Sequence, residues 1–460
     1  MTREEALAIY RQGEEFVVFK LMELNAKLSE TLEKLTEKEG KYTSTPSGMQ
    51  PVYSKPSHSG RGQKKPGQKV GHKGEHRESP VRVDKEEVLQ FTECPECGEA
   101  LRDSGNTRER CVEDIPDTKP EVTRYVIHRS YCPKCKKMVE PKVTAALPKA
   151  SIGTRALTLT AWLHYGLGQT ISHILEVLKV QLQFRLSPGG LTQMWKRLGE
   201  ALSGWYEAIE EEARKSSFLH ADETGWRVNG KPSWLWCFTN PRVTCYMIDR
   251  SRGFPALSRF FKEVFEGVLI TDFWRAYGRI TQHRQTCLVH LFRELGKVSE
   301  RNVSEEWQSF KKKLVRLLRD AMRLDKSEDV PLETKERRKE RLHGRLDDMV
   351  GREYQDADCR RLRKRLEEHR EHLLTFLDYE GVSADNNRAE REIRPAVIMR
   401  KNSFQNKSKD GAVAQAVLMS IYRTLKLRGH NPLSTIVQAI AHYVQYGELP
   451  PLPEPITSHG

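Results

Sequence analysis

The sequence changes character between residues 216 and 299, where helical spacing gives way to short β-rich runs in a defined order. The first three runs are SSFLHADETGW, KPSWLWCFTN and VTCYMIDR, and Asn229-Gly230 between the first two is typical of a two-residue hairpin. A helical segment, PALSRFFKEVF, precedes a fourth run, EGVLITDFW, and a fifth that enters a helix, RQTCLVHLFREL. Because the first three runs are adjacent and the later ones are separated by helical segments, the pattern predicts an α/β domain with a mixed sheet.

Two of these runs carry an aspartate at or near the end of an apolar strand. Asp222 belongs to the first run and Asp272 to the fourth. If the two strands are neighbours, both carboxylates lie at one edge of the sheet and repel each other unless a cation neutralises them. Carboxylate oxygens suit Mg²⁺ or Mn²⁺, and a pair of such ions can activate a water or a 3′ hydroxyl in phosphodiester chemistry.

A third acid is expected at such a site, and the segment SADNNRAEREIRP supplies Glu390 on the first turns of a predicted helix. Its acidic neighbours fit the role less well. Glu223 follows Asp222 and so faces the opposite side of the strand, and Glu392 lies about 200° round the helix from Glu390. Asp385 remains an alternative third acid, although it occupies the position expected of a helix cap.

Four of the nine cysteines form two CxxC pairs, Cys94 with Cys97 and Cys132 with Cys135. Two such pairs can close a tetrahedral Cys₄ site for one zinc ion with no open position, which predicts a structural role and not a catalytic one. An odd number of cysteines clustered in this way is typical of a reducing compartment. The basic residues around the second pair leave two roles open, contact with DNA phosphate or a pure scaffold. Two spare ligand candidates lie between the pairs, Cys111 and His128.

Composition favours a soluble protein with a polyanionic partner. Lys and Arg outnumber Asp and Glu by 77 to 63, which gives a formal net charge of +14, and the mean hydropathy is −0.66. The excess positive charge favours nucleic acid as the partner. The sequence has neither a transmembrane-length apolar run nor the apolar centre of a signal peptide at its N-terminus, so a cytoplasmic location without membrane association is expected.

The first 80 residues contain two different patterns. Residues 3–39 carry leucines at seven-residue steps, which predicts a helix that either packs on its own chain or pairs as a short coiled-coil dimer. Residues 41–80 are rich in Pro, Gly, Ser and Lys, which predicts a flexible basic linker. That linker is either inert or ordered by a DNA backbone. Its candidate DNA-binding residues are Lys64, Lys65, Lys69 and Lys73.

Helical patterns occupy most of the rest of the chain. Three candidates between residues 151 and 215 form either a packed bundle or a helix-turn-helix whose second helix begins at Ser187-Pro188. Residues 300–378 are highly charged and almost purely helical, which predicts an inserted helical arm. Residues 383–446 are again helical, and the Pro-rich tail that follows, ELPPLPEPITSHG, is expected to be loose.

Several blocks of the sequence together resemble one protein family. HADETGWRVNGKPSWLWCF, LITDFWRAY, CLVHLFREL and ADNNRAEREIRPAVIMRKNSF are similar to signature blocks of the IS66-type transposases of bacterial insertion sequences. KKPGQKVGHKG with the two cysteine pairs resembles the linker and zinc-binding domain of that family, and SKDGAVAQAVLMSIYRTLKLRGHNP resembles its C-terminal helical segment. The resemblance runs in order from about residue 20 to residue 446 and so covers nearly the whole chain.

The resemblance implies a multidomain α+β protein whose catalytic core has the RNase H-like (retroviral integrase-like) α/β fold. It implies a DDE triad of Asp222, Asp272 and Glu390 that binds two Mg²⁺ or Mn²⁺ ions, with the helical arm inserted before the third acid. The parts expected along the chain are an N-terminal helix (1–40), a basic linker (41–85), a zinc-binding domain (86–148), a helical DNA-binding domain (149–214), a first part of the core (215–299), the helical insertion (300–382), a second part of the core with the third acid (383–410), and C-terminal helices with the tail (411–460).

Basic residues crowd the segment after the DNN motif. Arginines beside an acid suit a site that holds both metal and phosphate, or they form a solvated helix face. The candidates for DNA backbone contact are Arg388, Arg391, Arg394, Arg400, Lys401, Lys407 and Lys409. Cys287 and His290 of the CLVH block also have two open interpretations, a part in catalysis or DNA contact, and packing of the arm on the core.

The function expected from these features is that of a transposase, which cuts DNA at transposon ends and joins the 3′ hydroxyl to target DNA. The expected partners are the transposon ends, the target DNA, a second copy of the chain or a higher oligomer, and small accessory proteins. Two alternatives remain open, a non-catalytic zinc-containing DNA-binding protein and a host nuclease or resolvase on the same fold. The presence of all three acids argues against the first alternative, and strand joining would separate a transposase from the second.

Overall fold

The structure is a computed structural model that describes residues 82–102, 104–327, 330–403 and 405–456. The predicted N-terminal helix and nearly all of the predicted basic linker lie outside the described residues. So do the linker candidates for DNA binding, Lys64, Lys65, Lys69 and Lys73. The chain divides into two units, and the functional elements that follow belong to the second, residues 115–460.

A hairpin and four helices precede the main sheet in the described part of this unit. They are β1 (Ser130–Cys132), β2 (Lys137–Val139), α1 (Thr154–Ala161) with its π-helical continuation (Trp162–Gly166), α2 (Ile171–Gln181), α3 (Pro188–Ala201) and α4 (Ser203–Arg214). Ser187 caps α3, because its Oγ accepts the backbone N–H of Gly190. The sequence predicts three helices between residues 151 and 215, whereas the structure has four in this fully described range, because the last candidate breaks at Leu202 into α3 and α4. A DNA-reading role for α3 stays a prediction.

In the part of the chain that the structure describes, five strands form the main sheet in the order β5-β4-β3-β6-β7. Their bounds are β3 Phe218–Val228, β4 Lys231–Thr239, β5 Thr244–Asp249, β6 Val268–Thr271 and β7 Arg284–Thr286. Strand β4 is antiparallel to both of its neighbours, β3 and β5, whereas β6 and β7 run parallel to β3. Asn229 and Gly230 join β3 to β4 with φ of 51° and 71°, the positive values that a type I′ turn requires. The predicted mixed sheet and its hairpin are therefore confirmed.

The position of Asp222 within its strand differs from the prediction. The sequence places Asp222 near a strand end, but β3 continues to Val228. The reason is that the two sides of β3 stop pairing at different points. Its parallel pairing with β6 ends at His220 opposite Ile270, whereas its antiparallel pairing with β4 persists to Val228. Asp222 therefore lies where β3 has lost one neighbour and kept the other, and only Asp272 follows a strand end.

The helices between β5 and the third predicted acid include the inserted arm. In chain order they are α5 (Phe254–Phe261), α6 (Leu288–Ser299), α7 (Glu305–Asp325), α8 (Leu332–Gly351) and α9 (Ala357–Glu368). Trp307 of α7 and Leu346 of α8 belong to the same buried cluster as Val268 and Ile270 of β6. The arm is therefore packed against the sheet and shares a hydrophobic core with it.

Three C-terminal helices complete the described fold, α10 (Asn387–Asn402), α11 (Lys409–Leu427) and α12 (Pro432–Tyr446). Helix α11 covers the edge strand β5. Ser420 Oγ accepts the backbone N–H of Tyr246 at 2.8 Å, and Thr424 Oγ1 accepts that of Thr244 at 3.1 Å. These bonds satisfy donors that an edge strand otherwise leaves unpaired.

The Pro-rich tail is bonded to the helices as far as residue 456, so the expectation of a loose tail is wrong for this part. Trp205 Nε1 donates to the carbonyl of Pro450 at 2.7 Å, and Arg428 Nη1 donates to that of Pro453 at 2.6 Å. The backbone N–H of Ile456 donates to the carbonyl of Arg428 at 2.9 Å. Proline lacks a donor but keeps its carbonyl, so donors on neighbouring helices can fix such a segment.

Candidate active site

The parallel register of β3 and β6 sets Asp222 beside Asp272. The last paired residues are His220 and Ile270, so two further residues along each chain bring the aspartates level and on the same face of the sheet. Neighbouring strands lie about 4.8 Å apart, so side chains at the same level can interact. The two strands are neighbours in the sheet, which is the condition that a shared metal site requires.

The carboxyl group of Asp222 lies in surroundings that disfavour its charge. Burial raises its pKa well above the usual range, and the carboxylates of Glu223, Asp272 and Glu390 raise it further. One hydrogen bond acts in the opposite direction, because the backbone N–H of Glu223 donates to Asp222 Oδ1 at 2.9 Å. A divalent cation among these carboxylates would relieve the same repulsion that otherwise favours a proton.

Asp272 is oriented by the loop that follows β6. The backbone N–H of Trp274 donates to Asp272 Oδ1 at 2.8 Å, and the hydroxyl of Thr271 donates to the Asp272 carbonyl at 2.8 Å. An aspartate that accepts from the N–H two residues later forms an Asx turn. The turn therefore fixes the direction of this carboxylate at the strand end.

The N-terminus of α10 is fastened to β3 by Asn386, which is 1% exposed. Its Nδ2 donates to the carbonyl of Ala221 at 2.8 Å, and its Oδ1 lies 3.1 Å from His220 Nδ1. Burial lowers the pKa of His220 to about 4, so its ring is neutral at physiological pH and donates from Nδ1. The middle residue of the DNN motif therefore joins the helix to the strand.

The C-terminal end of α10 is fastened to the same strand by Arg400, whose Nη1 donates to Thr224 Oγ1 at 2.8 Å. Thr224 and His220 lie two residues on either side of Asp222, so all three share one face of β3. Helix α10 crosses this face and carries Glu390 between its two anchors. The fold thus brings the third predicted acid to the face that holds the first.

Glu390 also faces helix α6. Arg293 Nη2 donates to Glu390 Oε2 at 3.4 Å, and His290 Nε2 lies 3.8 Å from Glu390 Oε1. Glu390 Oε1 and His290 Nδ1 are buried atoms without a hydrogen-bond partner. Buried polar atoms without partners are rare in native proteins, so these two mark a place that a ligand would complete.

Cys287 joins three elements at the start of α6. Its backbone N–H donates to the carbonyl of Thr271 at 2.8 Å, and its Sγ accepts the backbone N–H of Asn386 at 3.2 Å. The thiol is fully buried, and burial raises its pKa. In the CLVH block, Cys287 therefore packs between β6 and α10, while His290 faces Glu390.

Glu223 faces away from this group, as the strand alternation predicts. Its carboxylate accepts from Arg252 Nε at 3.0 Å and from the hydroxyl of Tyr277 at 2.6 Å. The guanidinium of Arg252 is stacked between the rings of Trp234 and Trp274, 4.6 and 4.3 Å from their centroids. Glu223 thereby holds the loop after β6 against β3.

The other two neighbouring acids are also engaged elsewhere. Glu392 lies 3.9 Å from Arg423 Nε on α11, on the side of α10 that faces β5. Asp385 Oδ1 accepts the backbone N–H of Asn387 at 3.0 Å, which is the turn-forming role expected before a helix. Neither contact directs these carboxylates towards Asp222.

The basic residues of α10 divide into two groups. Arg391, Arg394 and Lys401 are exposed, whereas Arg388 and Arg400 are partly buried, and burial lowers the pKa of both. The guanidinium of Arg400 is used within the protein, as described above. The three exposed cations are therefore the stronger candidates for DNA backbone contact, which stays a prediction for all five.

Each cysteine pair forms a tight turn. In the first pair, the backbone N–H of Cys97 lowers the pKa of the Cys94 thiol, and in the second, that of Cys135 lowers the pKa of Cys132. The N–H of Cys135 lies 3.4 Å from Cys132 Sγ. Backbone donors that favour a thiolate suit a metal ligand, since thiolate is the form that binds zinc.

Comparison with known proteins identifies the family. A model of the IS66 family of transposases matches residues 149–414, which is more than half of the chain. The chain belongs to the IS66 family of transposases. The matched segment contains Asp222, Asp272 and Glu390, and the resemblance of the sequence blocks is thereby confirmed.

A second IS66 match concerns the cysteine pairs. A model of the zinc-finger binding domain of transposase IS66 matches residues 92–136, which include all four paired cysteines and support a zinc site there. A curated relative, "Uncharacterized protein y4qI" of Sinorhizobium fredii, is 25% identical over 288 residues, or 55% of this chain. The chain spans about half, 53%, of the length of that relative. None of the described helices is long and apolar enough to cross a membrane.

Sequence reasoning missed several residues that shape this IS66 site. Asn386 and His220 join α10 to β3, and Arg293 contacts Glu390 from α6. His220 and Asp222 are two residues apart on a strand, so alternation alone predicts that they share a face. The partnership of Asn386 with β3 spans 165 residues and has no local signal.

Proposed function

We propose that the protein is a DNA transposase that cuts at transposon ends and joins the 3′ hydroxyl to target DNA. Asp222, Asp272 and Glu390 form its DDE triad. The observation that supports this most directly is geometric: the parallel register sets the two aspartates side by side, and α10 crosses the same face with Glu390. The strand order, with three antiparallel strands followed by two parallel ones, supports an RNase H-like core.

The donor set suits two Mg²⁺ or Mn²⁺ ions, since carboxylate oxygens are the ligands these ions prefer. Two bound ions would activate a water or a 3′ hydroxyl and stabilise the leaving oxygen of the phosphodiester. Asp222 and Asp272 hold their carboxylates level by strand register and by the Asx turn of the loop. Arg391 and Arg394, exposed on the helix that carries Glu390, hold the DNA backbone beside the acids.

Cys94, Cys97, Cys132 and Cys135 bind one structural zinc ion in this proposal. The zinc-finger match and the two thiolate-favouring turns support it. Replacing Cys94 with serine is expected to remove one equivalent of zinc from the purified protein. The same proposal places the enzyme in the cytoplasm, acting on DNA as a dimer or higher oligomer with small accessory proteins.

A strand-transfer assay tests the catalytic assignment. Purified protein with Mg²⁺ and a pre-cut DNA end of its element is expected to give joined product, and Asp222→Asn is expected to give none while still binding DNA. Asp348→Asn, an exposed aspartate of α8, serves as the matched control and should keep activity. Joined product from Asp222→Asn at the control level would contradict the assignment. Cleavage without joining would favour a nuclease or resolvase.

A further inference from the structure

Three ligand atoms of different chemical hardness meet beside the proposed triad. The sulfur of Cys287, an imidazole nitrogen of His290 and a carboxylate oxygen of Glu390 lie within 4.8 Å of one another. In a tetrahedral zinc site with bonds of about 2.0–2.3 Å, ligand atoms are about 3.3–3.8 Å apart. Small side-chain movements would therefore close these three atoms around one ion.

The surroundings of these atoms favour a ligand at this place. His290 Nδ1 and Glu390 Oε1 are buried and lack hydrogen-bond partners. The N–H of Asn386 fixes the position of Cys287 Sγ. The side chains of His290 and Glu390 are 39% and 31% exposed, so two of the three ligand side chains are in contact with solvent.

We propose that Cys287, His290 and Glu390 form a binding site for a borderline divalent ion such as Zn²⁺. A sulfur and an imidazole disfavour Mg²⁺ and favour zinc, so the donor set discriminates between this ion and the catalytic ones. Because Glu390 belongs to both sets, zinc here withdraws the third acid from the triad and inhibits the Mg²⁺ reaction. The inhibition rests on the proposed function, but the metal binding does not.

Zinc content tests the binding without any DNA. Full-length wild-type protein, dialysed against a slight excess of zinc, is expected to hold one equivalent more than His290→Ala. His343→Ala, a half-buried histidine of α8, is the matched control and should hold as much zinc as the wild type. The quantity compared is the zinc content of the wild type minus that of His290→Ala. This difference is the same whether or not zinc occupies the cysteine pairs. Equal zinc in His290→Ala and the wild type would overturn the site.

Cobalt gives a second readout that reports on the sulfur. Zinc is first added to fill the proposed site of the two cysteine pairs. Added Co²⁺ is then expected to produce a thiolate charge-transfer band that Cys287→Ser abolishes. Circular dichroism of that variant checks that it is folded, and Cys359→Ser, an equally buried cysteine of α9, should keep the band. A band that persists in folded Cys287→Ser would exclude sulfur ligation.

Strand transfer then separates this inference from the proposed function. If the wild type joins DNA in Mg²⁺, one further equivalent of zinc is expected to slow the reaction at least tenfold. No slowing, with zinc bound, would overturn the inhibitory role. If the wild type joins no DNA at all, the proposed function fails while the zinc measurement still decides the metal site.

A second, independent observation concerns helix α7. Its buried side packs in the arm, and its opposite side carries four exposed cations at steps of four, three and four residues, which share one helix face. They are Lys312, Arg316, Arg319 and Arg323. The stripe is about 16 Å long, a length over which duplex DNA presents roughly ten phosphate charges.

The only acid among the residues that line this face is shared by several cations. Asp320 lies 2.8 Å from Arg345 Nη1, and 3.9 and 3.8 Å from Arg316 and Arg323. The face therefore keeps an excess of positive charge. A shallow groove of about 500 Å³ runs along it, lined by α7.

We infer that this face of α7 binds a DNA backbone, as a contact separate from α10. Arg316→Gln/Arg319→Gln is expected to weaken binding to random duplex DNA several-fold and to lower the salt slope by about one to two. Arg250→Gln/Lys262→Gln removes the same charge from exposed positions elsewhere and is the matched control. Equal binding by the two double variants would overturn the inference. The binding can be measured in a catalytically inactive variant, so its result does not depend on whether the protein carries out strand transfer.

Discussion

Asp222 shows how burial and neighbouring charges together make one residue sensitive to pH. Burial and three neighbouring acids raise its pKa, so the folded protein holds a proton here more tightly than the unfolded chain does. Stability from this group is therefore complete below the unfolded pKa of about 3.9 and is lost as the pH rises through the folded value. Near neutral pH its charge is destabilising, and the divalent ions of the proposed function would offset it.

Asp222→Asn is therefore expected to raise the free energy of unfolding at pH 7.5 in buffer without Mg²⁺. The gain arises because the substituted asparagine carries no charge that the buried site disfavours, whereas the Asp222 carboxyl must ionise against its raised pKa. At pH 3, where the Asp222 carboxyl group is largely protonated in both the folded and the unfolded state, the gain should disappear. Urea unfolding at the two pH values measures it, with Asp348→Asn as the exposed control. A variant less stable than the wild type at pH 7.5 would contradict the account.

Asn386 is a second single residue on which the site depends, because its side chain holds α10 against β3. Removing its side chain leaves the carbonyl of Ala221 and the ring of His220 without a partner in the interior. We expect Asn386→Ala to cost about 1–3 kcal/mol of stability, the cost of an unsatisfied buried polar group. Strand transfer should fall further than this loss explains, because α10 then loses its anchor. Asn402→Ala, exposed at the other end of α10, should behave like the wild type in unfolding and strand-transfer assays.

At the scale of elements, local signals predicted much and long-range contacts little. Asn229-Gly230 predicted the hairpin because a type I′ turn needs two positive φ values in sequence. The order of β runs predicted the mixed sheet, whereas the adjacency of β3 and β6 was only a condition of the metal hypothesis that the fold fulfils. The length of β3 beyond Asp222 was not predicted, because it depends on a non-local contact: β4 stays paired with β3 after β6 has stopped. The anchoring of α10 by Asn386 was hidden for the same reason.

The contact between α11 and β5 is an element-level feature with its own test. Ser420 and Thr424 accept two N–H groups of the edge strand, so Ser420→Ala/Thr424→Ala leaves both donors unpaired in a buried interface. We expect a loss of roughly 2–4 kcal/mol in the free energy of unfolding, as for two unsatisfied donors. Ser309→Ala, at an exposed position of α7, controls for the loss of a hydroxyl. A loss no larger than in that control would show that the bonds contribute nothing.

For the whole molecule, the effect of the excess positive charge on DNA binding depends on where the cationic side chains are exposed. Arg391 and Arg394 lie three residues apart on α10 and are both exposed beside Glu390. Arg391→Gln/Arg394→Gln is expected to weaken binding to transposon-end and random DNA alike and to reduce the salt slope by about one to two. Filter binding over a series of salt concentrations measures both. A loss confined to the end sequence would mean base reading, and no loss would mean a solvated face.

The anchoring of α10 to β3 also has a consequence for protein synthesis. Asp222 and Glu390 are 168 residues apart, and the whole arm is translated between them. A ribosome adding roughly 5–20 residues per second takes about 10–30 s to cover that distance. Until α10 has emerged, the nascent chain holds both aspartates without the helix that crosses them. If Asp222, Asp272 and Glu390 form the proposed triad, a chain that ends before α10 lacks the third acid and is expected not to cut DNA.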